Sequence, residues 1–578
     1  MQNNTDGWMG KVLVVDLTQR TIATQPLDIE VARVFIGGRG LGVRWLWDMV
    51  GPEVEPLSPE NVLIFATGPM TASGFQTSNR FSVTTKSPQT GTVIDANSGG
   101  WWGMRLKRAG YDAIIVKGRA ERPVYLEITE DTAEIKDAGH LWGLGVFETC
   151  EKLGQDNNKR NVLCIGPAGE NLVRFAAIMN DHARAAARGG PGAVMGSKNL
   201  KAIVLEGKQK VTFADKERLR FVQYEATKML RANPITSQAF PEFGTAFAMN
   251  ILNTIGALPA MNYRQSHFDE AEEISGEALT DRLLTKNSAC WGCPIACTRQ
   301  TKTAEKEGEG PEFETLWSFG AACGIGDIEA VAEANYLCND LGLDTISAGS
   351  TIACAMELSE MGLLDSELRF GRADLLDQTL DDIAHRRGVG EALAEGSRRL
   401  AENCGAPQLS MSVKSLEMPA YDPRAMQGQG LLYATSNRGA CHMRGNMLGP
   451  EVLGLPKLID RLQVQGKAGY VALHQNANAV IDSLVVCKFV NVAVADEYLA
   501  RALSTITGIE YPTGELHQAG ERVWNMERLY NLREGFTRAD DTLPPRLLNE
   551  PATGASAGQV SHLEDMLDEY YRTRGWDE

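Results

Sequence analysis

Histidine is scarce in this chain, with 8 residues among 578, and aromatic residues make up only 7%. Positive charge is in deficit: 57 Lys and Arg stand against 74 Asp and Glu, a net charge of -17. Such a surface repels phosphate backbones and argues against nucleic acid as a partner. No uninterrupted apolar run reaches the ~20 residues of a membrane-spanning helix. The most apolar late stretch, residues 479–495, carries Asp482 and Lys488. The start, Met1-Gln2-Asn3-Asn4-Thr5-Asp6, lacks the basic residues and apolar core of an export leader, and no twin arginine follows. A cytoplasmic protein is expected. What remains is an ordinary globular balance of 43% hydrophobic and 23% charged residues. The length exceeds one compact core and suggests about three domains.

Residues 1–210 read as strand-rich. Short β-type runs at 11–17, 61–66, 80–85, 113–117, 123–128 and 202–205 are separated by glycine-rich joints. Beyond Thr212 the apolar spacing turns helical, at 215–232, 241–252, 327–341, 347–361 and 390–404. The last part mixes loops with helices at 470–491, 496–507 and 520–534, and an acidic terminal helix at 564–571. The polar loop 302–310 reads as exposed. The fold class is therefore α+β, a β-rich domain (1–210) followed by two mainly helical ones (211–417 and 418–578).

Three of the eleven cysteines crowd into Cys290-Trp291-Gly292-Cys293-Pro294-Ile295-Ala296-Cys297. This C-x2-C-x3-C spacing lets one loop wrap three thiolates around a cubane iron–sulfur cluster, which wants a fourth. A zinc site would show a second Cys pair or nearby histidine. Cys323, Cys338, Cys354, Cys404, Cys441 and Cys487 are all candidates for the fourth ligand. Cys150 and Cys164 read as core thiols.

Gly38-Arg39-Gly40-Leu41-Gly42 is an imperfect match to a dinucleotide loop and is expected to follow a strand and open a helix. Arg184-Ala185-Ala186-Ala187-Arg188 followed by Gly189-Gly190-Pro191-Gly192 is more informative. Small residues admit a large ligand close to the backbone, and the arginines offer forked donors to phosphate. Arg80 and Asn97-Ser98-Gly99-Gly100 have the same character. Each segment alone fits a tight turn; together they point to an anionic, phosphate-bearing cofactor.

These segments join Gly7-Trp8-Met9-Gly10-Lys11, Leu63-Ile64-Phe65-Ala66-Thr67-Gly68-Pro69, Arg80-Phe81-Ser82-Val83-Thr84-Thr85, Gly192-Ala193-Val194-Met195-Gly196-Ser197-Lys198, Gly310-Pro311-Glu312-Phe313-Glu314-Thr315 and Ser436-Asn437-Arg438-Gly439-Ala440-Cys441-His442. In these the chain resembles, nearly end to end, the tungsten-containing aldehyde:ferredoxin oxidoreductases. The resemblance implies a tungsten bis-pterin cofactor (tungstopterin) where the three domains meet, with a 4Fe–4S cluster beside it. It also implies two D-x-x-G-L-(C/D) segments, one per pterin. Here they are Asn339-Asp340-Leu341-Gly342-Leu343-Asp344 and Asp482-Ser483-Leu484-Val485-Val486-Cys487, with Lys488 adjoining. Cys487 is thereby implied as the fourth cluster ligand. Asn339 replaces the family Asp, and Val485-Val486 replace Gly-Leu. Arg80, Asn97, Gly99 and the 184–188 segment are implied phosphate contacts, and the backbone carbonyls of Asn97 and Ala186 implied contacts of a magnesium ion bridging the phosphates. Arg438 and Arg444 are implied cationic contacts from the third domain.

Oxidising an aldehyde to an acid adds water's oxygen and releases two electrons and two protons. On this resemblance Glu314, or else Glu312, is the general base, and His442 the donor or proton carrier. Electrons leave through the cluster to a ferredoxin or a dedicated iron–sulfur subunit. An oligomer is expected. The same scaffold would also suit a ring reductase acting on an aromatic thioester, and a cluster-only electron carrier is the non-enzymatic alternative. Trp101, Trp102 and Phe313 are candidate pocket walls, although such residues are more often core.

Overall fold

The structure is a computed structural model and describes residues 5–576; the polar start at 1–4, read above as lacking a leader, lies outside the described residues. Residues 11–206 build two six-stranded sheets. The first contains β1 (Lys11–Asp16), β2 (Thr21–Pro26), β3 (Leu63–Ala66), β4 (Phe81–Lys86), β5 (Val93–Ser98) and β6 (Ala113–Lys117), in the order β2-β1-β6-β3-β4-β5. The second contains β7 (Val124–Ile128), β8 (Ala133–Asp137), β9 (Arg160–Cys164), β10 (Ile178–Asn180), β11 (Arg184–Ala186) and β12 (Leu200–Glu206), in the order β11-β10-β9-β12-β7-β8. Only β1/β6 and β7/β12 pair in parallel. Apolar residues of both sheets, among them Leu13, Phe65, Ile114, Leu126, Leu163 and Ile203, share one buried cluster.

Helices dominate the rest. Those that matter for the site are α1 (Gly38–Met49), α2 (Lys216–Ala232), α3 (Ile328–Leu341), α4 (Thr345–Glu360), α5 (Lys467–Leu484), α6 (Asp496–Thr507) and α7 (Thr513–Arg533). Asp215 caps α2 by accepting from Arg218 N, and Leu219, Val222, Ala226 and Leu230 form its buried stripe. A small antiparallel sheet, β13 (Leu284–Ser288), β14 (Thr298–Lys302) and β15 (Glu307–Glu309), carries the cysteine loop on its first turn. Among the described residues no helix is long and apolar enough to cross a membrane.

Several expected elements change. The helix expected over 470–491 stops at Leu484, because Val485 takes a left-handed conformation, φ 52°, and a short 3-10 turn (Lys488–Val492) follows. Gly396 (φ 86°) splits the one expected over 390–404, and Gly244 (φ 62°) interrupts 241–252. The Gly38–Gly42 segment does open a helix, α1, but it follows the short helix Ile29–Phe35 rather than a strand. A Cβ on Gly38 would lie 2.4 Å from the carbonyl oxygen of Asp482. These glycines therefore serve the close approach of α1 to the end of α5. Loop 302–310 is not wholly exposed: it holds β15, and Glu309 turns inward to an ion pair with Arg184 at 2.8 Å.

Candidate functional site

A cavity of about 490 Å³ lies where the sheets, the cysteine loop and the later helices meet. Its walls come from several parts of the chain. The β4–β5 hairpin supplies Arg80, Asn97 and Gly99, and the β11 segment supplies Arg184, Ala185, Ala187 and Arg188. The helical part adds Asn339, Leu343 and Asp344, and the 438–444 segment adds Arg438, His442 and Arg444. Asp482, Cys487 and Lys488 close it at the end of α5. Ala186 and Val486 are not among the residues lining the cavity. Ala186 is fully buried and pairs with Ile178 in β10, and Val486 packs into an apolar cluster with Ile481 and Val490. The carbonyl of Asn97 accepts from Arg80 Nη2 at 2.8 Å.

Cys290, Cys293, Cys297 and Cys487 line one side of this cavity. Burial pushes the Cys293 thiol up to about 12, and Cys487 and Cys290 add repulsion. Burial likewise raises Cys297 and Cys487, and each also feels Cys290. The four thiols are thus mutual neighbours. The other candidates sit apart: Cys323, Cys338 and Cys354 are fully buried in the largest apolar cluster, Cys404 packs against it, and Cys441 Sγ lies 2.7 Å from Arg438 Nη2. Among the described residues no three His, Cys, Asp or Glu side chains close to the spacing of a single bound ion. Gly99 has no room for a side chain, since its Cβ would lie 2.8 Å from Cys290 Sγ and 3.2 Å from Arg80 Nη1.

The two half-motifs occupy matching places. Helix α3 ends in the left-handed Gly342 (φ 75°) and α5 in the left-handed Val485 (φ 52°), so Asn339 and Asp482 each sit three residues before a cap. A valine here carries strain that glycine avoids. Asp482 is within 3.3 Å of Arg39, 2.9 Å of Arg444 and 3.0 Å of Lys488. Burial alone would raise its carboxyl, but Lys488, Arg444 and Arg39 hold it down at about 2. Arg39 also forks onto Glu527 at 2.7 and 2.6 Å, and Arg444 grips Asp95. Arg39 and Asp95 thus anchor the cationic wall. Sequence reasoning assigned no role to Asp95, which no motif marks, and met Arg39 only inside the glycine loop.

Glu314 lies on a single helical turn (Phe313–Thr315), and His442 begins another (His442–Arg444). Glu314 Oε1 is 3.5 Å from His442 Nδ1, and neither atom has a hydrogen-bond partner. Burial pushes the Glu314 carboxyl up to about 8, although the N–H of Ala420, donating at 3.0 Å, and Arg188 oppose the rise. Burial holds the His442 imidazole well below its ordinary value, helped by Arg188, Arg438 and Lys488. The acid is therefore protonated and the imidazole neutral near pH 7, a pair able to exchange one proton. Glu312 also lines the cavity, but its Oε2 is taken by the Thr245 hydroxyl at 2.6 Å. Phe313 is a cavity wall, whereas Trp102 belongs to the core between the sheets.

Comparison with known proteins gives a consistent set of relatives. The family model for the N-terminal domain of aldehyde ferredoxin oxidoreductase matches residues 12–207, and the model for domains 2 and 3 matches residues 222–578. The chain is 46% identical to the tungsten-containing aldehyde ferredoxin oxidoreductase of Pyrococcus furiosus, covering 99% of this chain and 97% of that one. It is 32% identical to the WOR-like subunit of an aliphatic sulfonate oxidoreductase from the same organism, covering 98% and 94%. Among solved structures, a chain of the active-site complex BamBC of benzoyl coenzyme A reductase with 1,5-dienoyl-CoA superposes with a TM-score of 0.87 at 27% identity, covering 99% of this chain and 95% of that one.

Proposed function

Because the chain belongs to the aldehyde ferredoxin oxidoreductase family, we propose that it oxidises an aldehyde to the carboxylic acid, takes the oxygen from water and passes electrons to a ferredoxin in the cytoplasm. The observation that carries this reading is that Glu314 Oε1 and His442 Nδ1, 3.5 Å apart and each without a hydrogen-bond partner, face each other on a cavity that also holds four neighbouring thiols.

The residues present fit a tungsten bis-pterin and a 4Fe–4S cluster. Asn97 Nδ2 and Arg438 Nε are buried donors without a partner in the protein, and both residues line the cavity. Arg80, Arg184 and Arg188 would hold the pterin phosphates with a magnesium ion between them, and Asn339 and Asp482 the two pterin rings. Cys290, Cys293, Cys297 and Cys487 would hold the cluster. When bound, the metal–pterin group supplies a two-electron acceptor and the cluster a one-electron exit.

The rest falls to side chains. Glu314, ionised, takes a proton from water at Oε1 as the oxygen attacks the aldehyde carbon. His442, kept neutral by its surroundings, passes the proton of its other ring nitrogen to the carbonyl oxygen as Nδ1 takes up the Glu314 proton, so that the ring carries only one proton. The two facing atoms, Glu314 Oε1 and His442 Nδ1, are buried, which keeps bulk water out of the exchange between them. One water and one aldehyde yield one acid, two electrons and two protons. A second reading, reduction of an aromatic acyl thioester, is favoured by the structural likeness to the reductase complex. Dye-linked assays with aldehydes and with an aromatic thioester separate them. Aldehyde-dependent dye reduction supports the first; thioester reduction with no aldehyde activity overturns it.

A further inference from the structure

The outer face of α2 departs from the charge of the rest of the chain. Within Lys216–Ala232 it carries Lys216, Arg218, Arg220, Lys228 and Arg231 against Glu217 and Glu225, in a chain whose net charge is -17. All five cations are exposed, and Glu225 is already paired with Arg501 at 3.1 Å. Two aromatic rings stand among them, Phe221 and Tyr224, each 55% exposed, with Lys228 Nζ 4.5 Å from the Tyr224 ring centre. Exposed aromatic rings and arginines are enriched at protein-binding surfaces.

The inner face of the same helix packs into the apolar cluster that borders the cysteine loop. Leu219, Val222, Ala226 and Leu230 share an apolar cluster with Ile295, and Cys293 and Cys297 pack against it. Gln76 Nε2 donates to Gln223 O at 3.1 Å and to the Thr227 hydroxyl on α2, and the carbonyl of Thr77 accepts from Cys487 N at 3.0 Å. At the tip of the cysteine loop Gly292 and Pro294 are exposed. A partner seated on α2 therefore lies on an element whose other face packs into the apolar cluster bordering Cys293 and Cys297.

We propose that the exposed face of α2, with the tip of the cysteine loop, is the docking surface for a small acidic iron–sulfur electron carrier. The proposal deepens the function above and rests on its reading of the four thiols as cluster ligands. Charge complementarity selects the occupant. An acidic carrier is repelled by the bulk of this surface and attracted to this one face, which steers it to the exit and sets its orientation.

The test uses holoenzyme and an acidic bacterial 4Fe–4S ferredoxin. Its Kd is measured by titration calorimetry for the wild type and for Arg220→Glu/Lys228→Glu, alongside aldehyde-dependent turnover with ferredoxin and with methyl viologen. The Kd and the KM for ferredoxin are expected to rise about tenfold or more, while viologen turnover stays unchanged. In the wild type the affinity must also fall as salt rises from about 0.02 to 0.3 M. Should the reversal variant fold poorly, Arg220→Gln/Lys228→Gln gives the same comparison with a smaller rise. Unchanged Kd and KM in a folded variant overturn the proposal, as does a changed oligomeric state with unchanged ferredoxin binding. Absence of viologen turnover in the wild type would instead overturn the aldehyde reading, leaving the binding result to decide the docking face.

Discussion

Replacing Glu314 by Gln removes an ionisable oxygen from the site while preserving its shape and an acceptor for the Ala420 N–H. The carboxyl has its ordinary value of 4.5 when solvated and is pushed up to about 8 by burial in the fold. A raised folded pKa contributes stability that is complete below 4.5 and is lost as pH rises through about 8. Relative to a group that never ionises, the wild type is therefore penalised as pH rises. At pH 7 the unfolded carboxyl is some 2.5 units past its pKa while the folded one is still protonated, which weighs roughly 3 kcal/mol against the fold. At pH 5 the same difference is under about 1 kcal/mol. Glutamine carries no such penalty. Cofactor-free Glu314→Gln should accordingly be the more stable protein at pH 7, and the advantage should shrink toward pH 5. Its turnover should fall by about 10² to 10⁴, the scale of a lost general base. In the wild type, kcat/KM should rise about tenfold per pH unit up to near pH 8. The checks are denaturation midpoints at both pH values and a dye-linked pH profile. Wild-type turnover in the variant, or a variant less stable at pH 7 than at pH 5 relative to wild type, would refute the reasoning.

Further expectations follow from neighbouring contacts. His442→Ala should keep its metal and pterin content and lose at least about 10² in turnover, measured by metal analysis and dye reduction together. Cys487→Ala should lose iron and keep tungsten; stopped-flow mixing with aldehyde should then show one reduction and no steady state, whereas a full iron complement with normal turnover counts against Cys487 as a ligand. Glu312→Gln should retain turnover within about tenfold, because Glu312 serves Thr245 rather than the proton pair. Arg39→Ala leaves Glu527 buried without its cation and removes one of the three that face Asp482, and its unfolding free energy should drop by about 3–5 kcal/mol.

What the sequence made legible follows from physics local to the chain. Strands β1 and β6 announce themselves through runs of branched apolar residues, and the C-x2-C-x3-C loop through spacing alone. Strand β2 was invisible because nearly every position is exposed, leaving no alternation to read. Strands β10 and β11 are three residues long and exist only through their neighbours. The end of α5 was misread because a left-handed valine gives no warning, unlike Gly342 at the end of α3. Within the site, the thiol loop was legible from spacing, while the pairing of Glu314 with His442 depended on a family resemblance. Nothing local links two residues so far apart in sequence. Asp95 and Arg39 stayed hidden because a buried ion network is a property of packing between elements.

Elemental analysis combined with pterin extraction on the anaerobically purified protein tests the central claim most directly. The account predicts one tungsten, two pterins and about four irons per chain, with dye reduction that depends on added aldehyde. Iron without tungsten, molybdenum or pterin, and no aldehyde-dependent reduction, would contradict it.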